Sequence, residues 1–128
     1  MSRHDPLWYL RDMIAYGLEA MALPGRDAPA QDVRVVLLAA ERLLEIMGEA
    51  ARSVPADMRD RHPRIPWSQF TGMRNVLIHA YHRIQPDEVW NTLGLDLPEL
   101  IPLIEAALHI EEERRRSEGA ADFGQPSD

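Results

Sequence analysis

Residues 33 to 51 read VRVVLLAAERLLEIMGEAA, and this stretch decides the fold class. Its apolar side chains recur every three or four residues: Val33, Val36, Leu37, Ala40, Leu43, Leu44, Met47 and Ala51. Because an α-helix has about 3.6 residues per turn, this spacing gathers them on one face. We therefore expect a long amphipathic helix from about Asp32 to Val54-Pro55, with its apolar face buried in a core.

The same spacing predicts four more helices around this one. They cover residues 6 to 22, 66 to 84, 87 to 93, and a last segment that ends at about 115 and whose start is ambiguous because of Pro98 and Pro102. Asp5-Pro6 supplies an N-cap and a first-turn proline, and residues 55 to 67 form a proline-rich connector. No stretch alternates as a strand does, so the predicted fold class is all-α: an antiparallel up-and-down bundle of four main helices plus a short one. The bundle covers residues 1 to 116, and the polar tail, 117 to 128, is predicted to be disordered.

Length and composition limit the class of protein. The chain has 128 residues, enough for one domain, with 45% hydrophobic and 27% charged residues, as in soluble globular proteins. It has no cysteine, which excludes cysteine-based zinc sites and thiol nucleophiles. No apolar run approaches the roughly 18 residues of a membrane span, and the N-terminus lacks an apolar signal core. We expect a cytoplasmic protein with no membrane partner.

The charge is acidic overall, −7, and is unevenly distributed. All 14 basic residues are Arg. Residues 50 to 83 hold six Arg against two acids, whereas residues 84 to 113 hold eight acids and no Arg. An acidic protein is not expected to bind nucleic acid indiscriminately, because cations supply that affinity. The alternative for such blocks is that they are solvated or paired within the chain, and charge alone leaves this open.

The stretch GMRNVLIHAYH, residues 72 to 82, interrupts an apolar helical face with polar groups. Asn75 and His79 lie four residues apart on one ridge of the predicted helix, and Arg74 and Tyr81 lie seven apart on a neighbouring ridge. At about 100° per residue, Arg74 and His79 are about 140° apart. One helix cannot easily aim both at one atom, but two antiparallel copies can place the Arg of one chain beside the His of the other. A symmetric dimer would then be part of the site.

An Arg and a His brought together suit RNA cleavage without a metal. A guanidinium donates a fork of hydrogen bonds to phosphate oxygens, and a neutral imidazole can take the proton of a ribose 2′-hydroxyl. The spacing by itself is unspecific, because about 0.5 Arg-x4-His pairs are expected by chance at this composition. Tyr81 is also compatible with an amphipathic core residue whose hydroxyl reaches the rim.

The wider sequence resembles the HepT-type toxins of the HEPN superfamily over about residues 7 to 110. The resemblance lies in YLRDM (9–13), EIMGEAA (45–51), RHPRIPW (61–67), GMRNVLIHAY (72–81), VW (89–90) and DLPEL (96–100). The family signature is Arg, four residues, His, one residue, Tyr. Arg74, His79 and Tyr81 match it, and Asn75 occupies the polar position that commonly follows the Arg.

This resemblance implies a homodimeric, metal-independent ribonuclease encoded with a minimal nucleotidyltransferase antitoxin. His79 would be the general acid/base, Arg74 would bind the scissile phosphate of the RNA, and Asn75 would orient it. The antitoxin would transfer AMP to Tyr81. An AMP group adds negative phosphate and bulk where RNA must bind, so Arg74 would pair with a tethered anion instead of substrate.

Residues around the motif are candidates for supporting roles. Glu49 on the long helix would orient Arg74 if the two helices pack side by side, and the alternative is a solvent-facing carboxylate. The arginines that flank the motif are candidates for RNA binding: Arg52, Arg59, Arg61, Arg64 and Arg83. The alternative for these arginines is an intramolecular pair with a carboxylate.

No cofactor is predicted. His79 and His82 are three residues apart, but no Asp or Glu stands at helical spacing from both, so we predict no metal site. Trp67 and Trp90 are interpreted as core or dimer anchors rather than base-stacking platforms, because each has an apolar helical context.

Two other functions stay open at this stage. The first is a non-catalytic helical binding module that docks a nucleotidyltransferase. The second is a structural helical dimer in which Arg74 and His79 only satisfy buried polar groups.

Overall fold

All regular structure in the described part of the chain is helical. A computed structural model describes residues 5–124, and the side chains of residues 5–120, with no strand in that range. Its helices are α1 (Pro6–Met21), α2 (Val33–Ser53), α3 (Ala56–Arg61), α4 (Trp67–His79), α5 (Pro86–Asn91) and α6 (Leu97–Gly124). The predicted all-α class is confirmed for these residues. None of these helices is both long and apolar enough to cross a membrane.

α1 begins where the sequence predicts. The side chain of Asp5 accepts a hydrogen bond from the backbone N–H of Leu7 at 2.9 Å, and Pro6 takes the first helical position. That position suits proline, because its missing N–H would have no partner inside the helix. The predicted N-cap and first-turn proline are both confirmed.

α2 is the central helix of the bundle. It packs against α1 on one side and α4 on another, and α1 packs in turn against α6. The largest fully buried side chains come from these contacts: Leu10, Met13, Leu44, Met47, Val54, Leu97 and Ile104. Trp67 and Trp90 are also buried in this core. This agrees with their predicted role as core anchors.

The connector before α4 contains a short helix that the sequence analysis did not predict. α3 is anchored by Met58, whose side chain is buried in the core. Three prolines, at 55, 63 and 66, mark this segment as a connector. They flank α3 without interrupting it, so six helical residues fit between them.

The helix that carries the motif is shorter than predicted. α4 ends at His79, Ala80 leaves the helical region with φ −135° and ψ 36°, and Tyr81–Arg83 form a separate 3₁₀ turn. Ile84 then packs against the core, and Pro86 opens α5. Because the chain must turn at Ala80 to bring Ile84 inward, the predicted continuation of the helix to residue 84 is wrong.

α6 begins earlier than its leucines alone indicate. A π-helical turn, Thr92–Asp96, joins α5 directly to Leu97. Pro102 lies inside α6, where it is exposed. The backbone carbonyl that Pro102 leaves without a donor is close to the start of the helix, where water can reach it.

α6 also ends later than predicted. Residues 117–124 continue the helix rather than being disordered, while residues 125–128 of the predicted tail lie outside the described part of the chain. One ion pair at helical spacing reaches into this extension: Arg114 with Glu118 at 3.6 Å. The assignment of residues 1 to 116 to one domain stays a prediction.

Candidate active site

The site begins with a close contact between α2 and α4. A Cβ placed on Gly48 would lie 2.4 Å from the Cβ of Arg74 and 2.7 Å from the carbonyl oxygen of Phe70. No side chain larger than hydrogen fits there, so glycine lets the two helices approach. The next residue, Glu49, is thereby brought within reach of Arg74.

Arg74 is held by two side chains. Its Nε donates to Oε2 of Glu49 at 2.7 Å, and one Nη donates to Oδ1 of Asn75 at 2.9 Å. Only 17% of the Arg74 side chain is exposed. α2 and α4 therefore pack side by side, which is the arrangement that the predicted role of Glu49 in orienting Arg74 requires. The other Nη has no hydrogen-bond partner among the described residues, so its donors are available to an anion.

Arg74 lines a cleft of about 360 Å³ between α1, α2 and α4. Two guanidiniums, of Arg42 and Arg74, and three carboxylates, of Asp12, Glu45 and Glu49, face this cleft. Arg42 donates to Glu45 at 2.7 Å. Sequence reasoning missed Arg42 and Glu45, although both lie at helical spacing before Glu49 on α2. Each guanidinium in the cleft is already partly neutralised by a carboxylate of the same chain.

His79 faces a different direction. It is exposed in the last turn of α4 and has no hydrogen-bond partner among the described residues. Five residues of helix separate it from Arg74, about 140° in azimuth and about 7.5 Å along the axis. Within one chain, the geometry therefore brings together Arg74, Asn75 and Glu49 and leaves His79 apart, as the helical spacing predicted.

Tyr81 is 72% exposed in the 3₁₀ turn beyond α4. Its ring lies edge-on to that of His82, with centroids 6.0 Å apart. The predicted position of Tyr81 on a helical ridge beside Arg74 is wrong, because α4 ends at His79. The alternative of an amphipathic core residue is also wrong, since the ring is mostly in solvent.

Arg61 forms an ion pair with a carboxylate of the same chain. It donates to Glu111 of α6 through Nε at 3.1 Å and through one Nη at 2.6 Å, and Nε2 of His62 lies 2.7 Å from the same carboxylate. Glu111 is only 4% exposed. The hydrogen bonds from Arg61 lower the pKa of Glu111 and raise that of Arg61. This cluster ties the connector before α4 to α6, and sequence reasoning missed it.

The other predicted RNA-binding arginines differ from Arg61. Arg52, Arg64 and Arg83 are exposed, and none has an ion-pair partner among the described residues. Arg59 is partly buried, and its Nε has no hydrogen-bond partner there. Among the side chains of residues 5–120, no three His, Asp or Glu groups converge where a metal ion would bind.

Fold and site together define a small all-α bundle with one polar motif, Arg-x4-His-x-Tyr, at the end of a core helix. The chain belongs to the HepT-like family: the family model described as "Ribonuclease HepT-like" matches residues 25–119. This confirms the resemblance on which the sequence analysis relied.

Similar proteins carry ribonuclease names. "Putative RNase MJ0125" of Methanocaldococcus jannaschii is 35% identical over 103 residues, 78% of this chain and 88% of that protein. "Probable ribonuclease HepT" of Thermococcus cleftensis is 44% identical over 59 residues, 46% of this chain and 54% of that protein. "Putative RNase TTE0752" of Caldanaerobacter subterraneus subsp. tengcongensis is 37% identical over 70 residues, 55% of this chain and 62% of that protein. The last two matches span less than two thirds of those relatives. No solved structure matches the chain significantly.

Proposed function

We propose that the protein is a metal-independent RNA endonuclease, the toxin of a toxin-antitoxin pair, and that it acts as a homodimer. The observation that carries the proposal is the hydrogen bonding of the Arg74 guanidinium. Glu49 and Asn75 hold its guanidinium, while one Nη has no hydrogen-bond partner in the described part of the chain. A fixed fork with free donors is suited to a phosphate oxygen.

The proposed chemistry needs only Arg74, Asn75 and His79. Neutral His79 takes the proton of a ribose 2′-hydroxyl, and the 2′-oxygen attacks the adjacent phosphorus. The bond from phosphorus to the 5′-oxygen breaks, and that oxygen leaves with the proton that the His79 imidazolium returns. The products are a 2′,3′-cyclic phosphate and a 5′-hydroxyl. Arg74, oriented by Asn75 and Glu49, stabilises the charge that builds up on the phosphoryl oxygens.

A dimer resolves the separation of the two catalytic groups. Because Arg74 and His79 lie about 140° apart on α4, a second copy must supply the missing group at each reacting phosphate. Three exposed arginines that have no ion-pair partner within residues 5–120 are proposed to attract the RNA backbone: Arg52, Arg64 and Arg83.

The proposed control of activity is AMP transfer to Tyr81 by a minimal nucleotidyltransferase antitoxin. Tyr81 is 72% exposed, and its turn directly follows His79. A transferase can therefore reach the hydroxyl without opening the bundle. The added phosphate would compete with RNA for the Arg74 that the second copy places beside His79.

Cleavage of a defined RNA by purified protein in EDTA tests the catalytic roles. We expect His79→Ala to lose at least about 100-fold in rate, as general acid–base groups do. Arg74→Ala should lose a similar factor, because a donor to the developing phosphoryl charge is removed. Arg34→Ala and His109→Ala, exposed residues of the same types outside the motif, should keep wild-type rates. Light scattering should show the same dimer in every variant.

Two results would contradict the proposal. Full activity in both motif variants would remove the assigned roles. A dimeric wild-type protein that leaves RNA intact would favour the non-catalytic docking module. Regulation is tested separately by the intact mass of protein made with and without its genomic neighbour. AMP-sized increments should appear in the wild type and disappear in Tyr81→Phe.

A further inference from the structure

A second concave surface lies between α4 and the segment from α5 to α6. It consists of two hollows of about 320 and 190 Å³ that share Met73 and Thr92, and so form one groove. We name it the α4–α6 groove. Its floor is apolar, with contributions from Phe70, Met73, Leu77, Ile84, Leu97 and Leu100. The groove is separate from the cleft around Arg74, because the α4 residues that line that cleft, Arg74 and Ile78, do not line the groove.

The rim of the α4–α6 groove is negatively charged. Glu88, Asp96 and Glu99 line it and are exposed. None of the three has an ion-pair partner among the described residues. The other acids between residues 84 and 113, except Glu105, are all paired with arginines: Asp87, Glu111, Glu112 and Glu113. Unneutralised charge in this acidic part of the chain is therefore concentrated at the groove.

We propose that the α4–α6 groove binds a basic amphipathic segment of a protein partner. Apolar side chains of that segment would cover the floor, and its Arg or Lys side chains would pair with the rim carboxylates. RNA is unsuited to this surface, because its phosphates would face three unpaired carboxylates. Met73 lies at the junction of the two hollows, and a flexible thioether side chain adapts to an incoming apolar surface.

The position of the groove gives such a partner a place beside the motif. Ile84 lines one end of the groove, and the Tyr81–Arg83 turn immediately precedes it. A bound segment would lie next to Tyr81 without occupying the cleft around Arg74. This inference concerns binding alone and stands whether or not the protein cleaves RNA.

Fluorescence anisotropy with designed peptides tests the proposal on the full-length protein. The probe is a labelled helical peptide of about four turns with Leu on one face and Arg beside it, and its companion carries Glu in place of every Arg. We expect the Arg peptide to bind at least tenfold more tightly than the Glu peptide, and its affinity to fall as salt is raised.

Matched variants locate the binding site. The double variant Asp96→Asn/Glu99→Gln should weaken binding of the Arg peptide at least about fivefold with an unchanged melting temperature. Glu105→Gln should leave binding unchanged, because Glu105 is exposed and unpaired on the same helix but does not line the groove.

Three results would overturn the proposal. The first is equal affinity for the two peptides, and the second is equal affinity of the double variant and the wild type. The third is a change of oligomeric mass in the double variant with no peptide binding, which would assign the groove to a second copy of this chain.

Discussion

Gly48→Ala tests whether the close approach of α2 and α4 is what positions Arg74. The added methyl would lie 2.4 Å from the Cβ of Arg74 and 2.7 Å from the backbone oxygen of Phe70, whereas ordinary contact begins at 3.4 Å. α4 must therefore move by about 1 Å locally (3.4 minus 2.4). Overpacking of this kind costs about 1–3 kcal/mol, and the better helix propensity of Ala offsets about 1 kcal/mol. Because one clashing atom is backbone, we expect a net loss of about 1–2 kcal/mol.

Thermal unfolding and RNA cleavage measure the two consequences. The melting temperature should fall by roughly 4–8 °C for a domain of this size. Cleavage should fall by up to about 100-fold, since a misplacement of about 1 Å has that effect on catalysis. Gly72→Ala is the matched control on α4, because nothing lies within 4 Å of the added Cβ. It should stabilise the protein by about 0.5–1 kcal/mol and leave cleavage unchanged. A Gly48→Ala protein as stable and active as Gly72→Ala would refute the reasoning.

Three further predictions concern charged side chains. Glu111→Gln leaves Arg61 without its buried partner and should lower the free energy of unfolding by about 2 kcal/mol in urea titrations, whereas loss of less than about 0.5 kcal/mol would show the pair to be inert. Hydrogen bonds from Arg61 lower the pKa of Glu111, and a hydrogen bond from Arg115 lowers that of Asp5 to about 2. The contribution of both carboxylates to stability should be complete at neutral pH, and that of Asp5 should be lost as the pH falls toward 2. Glu111→Gln/Asp5→Asn should largely abolish this loss in acid. Arg83→Gln should weaken RNA binding and reduce the slope of log affinity against log salt by about 0.7, and an unchanged slope would remove Arg83 from the RNA path.

The periodicity of residues 33 to 51 was sufficient to predict α2, and Asp5-Pro6 was sufficient for the start of α1, because both depend on local sequence. The end of α4 depends instead on Ile84, which packs inward and forces a turn. No local sequence pattern indicates that Ile84 packs inward.

In the candidate site, too, local features could be predicted from the sequence and long-range contacts could not. The 140° between Arg74 and His79 follows from helical geometry alone. The pairing of Arg61 with Glu111 joins residues 50 positions apart, and residue types cannot choose among 21 acids. Sequence reasoning therefore left the partner of Arg61 open. Arg42 and Glu45 lie only three residues apart on α2, so helical spacing could have found that pair.

Mixed dimers test the central claim most directly. Arg74→Ala and His79→Ala proteins are co-expressed with different tags, and RNA cleavage by the mixture is compared with that of each variant and the wild type. If every cut needs an Arg74 from one chain and a His79 from the other, the two variants are inactive alone. Their mixture should regain about a quarter of wild-type activity, since half of the dimers are mixed and each holds one intact pair. A mixture as inactive as its components, beside an active wild type, would contradict the shared site.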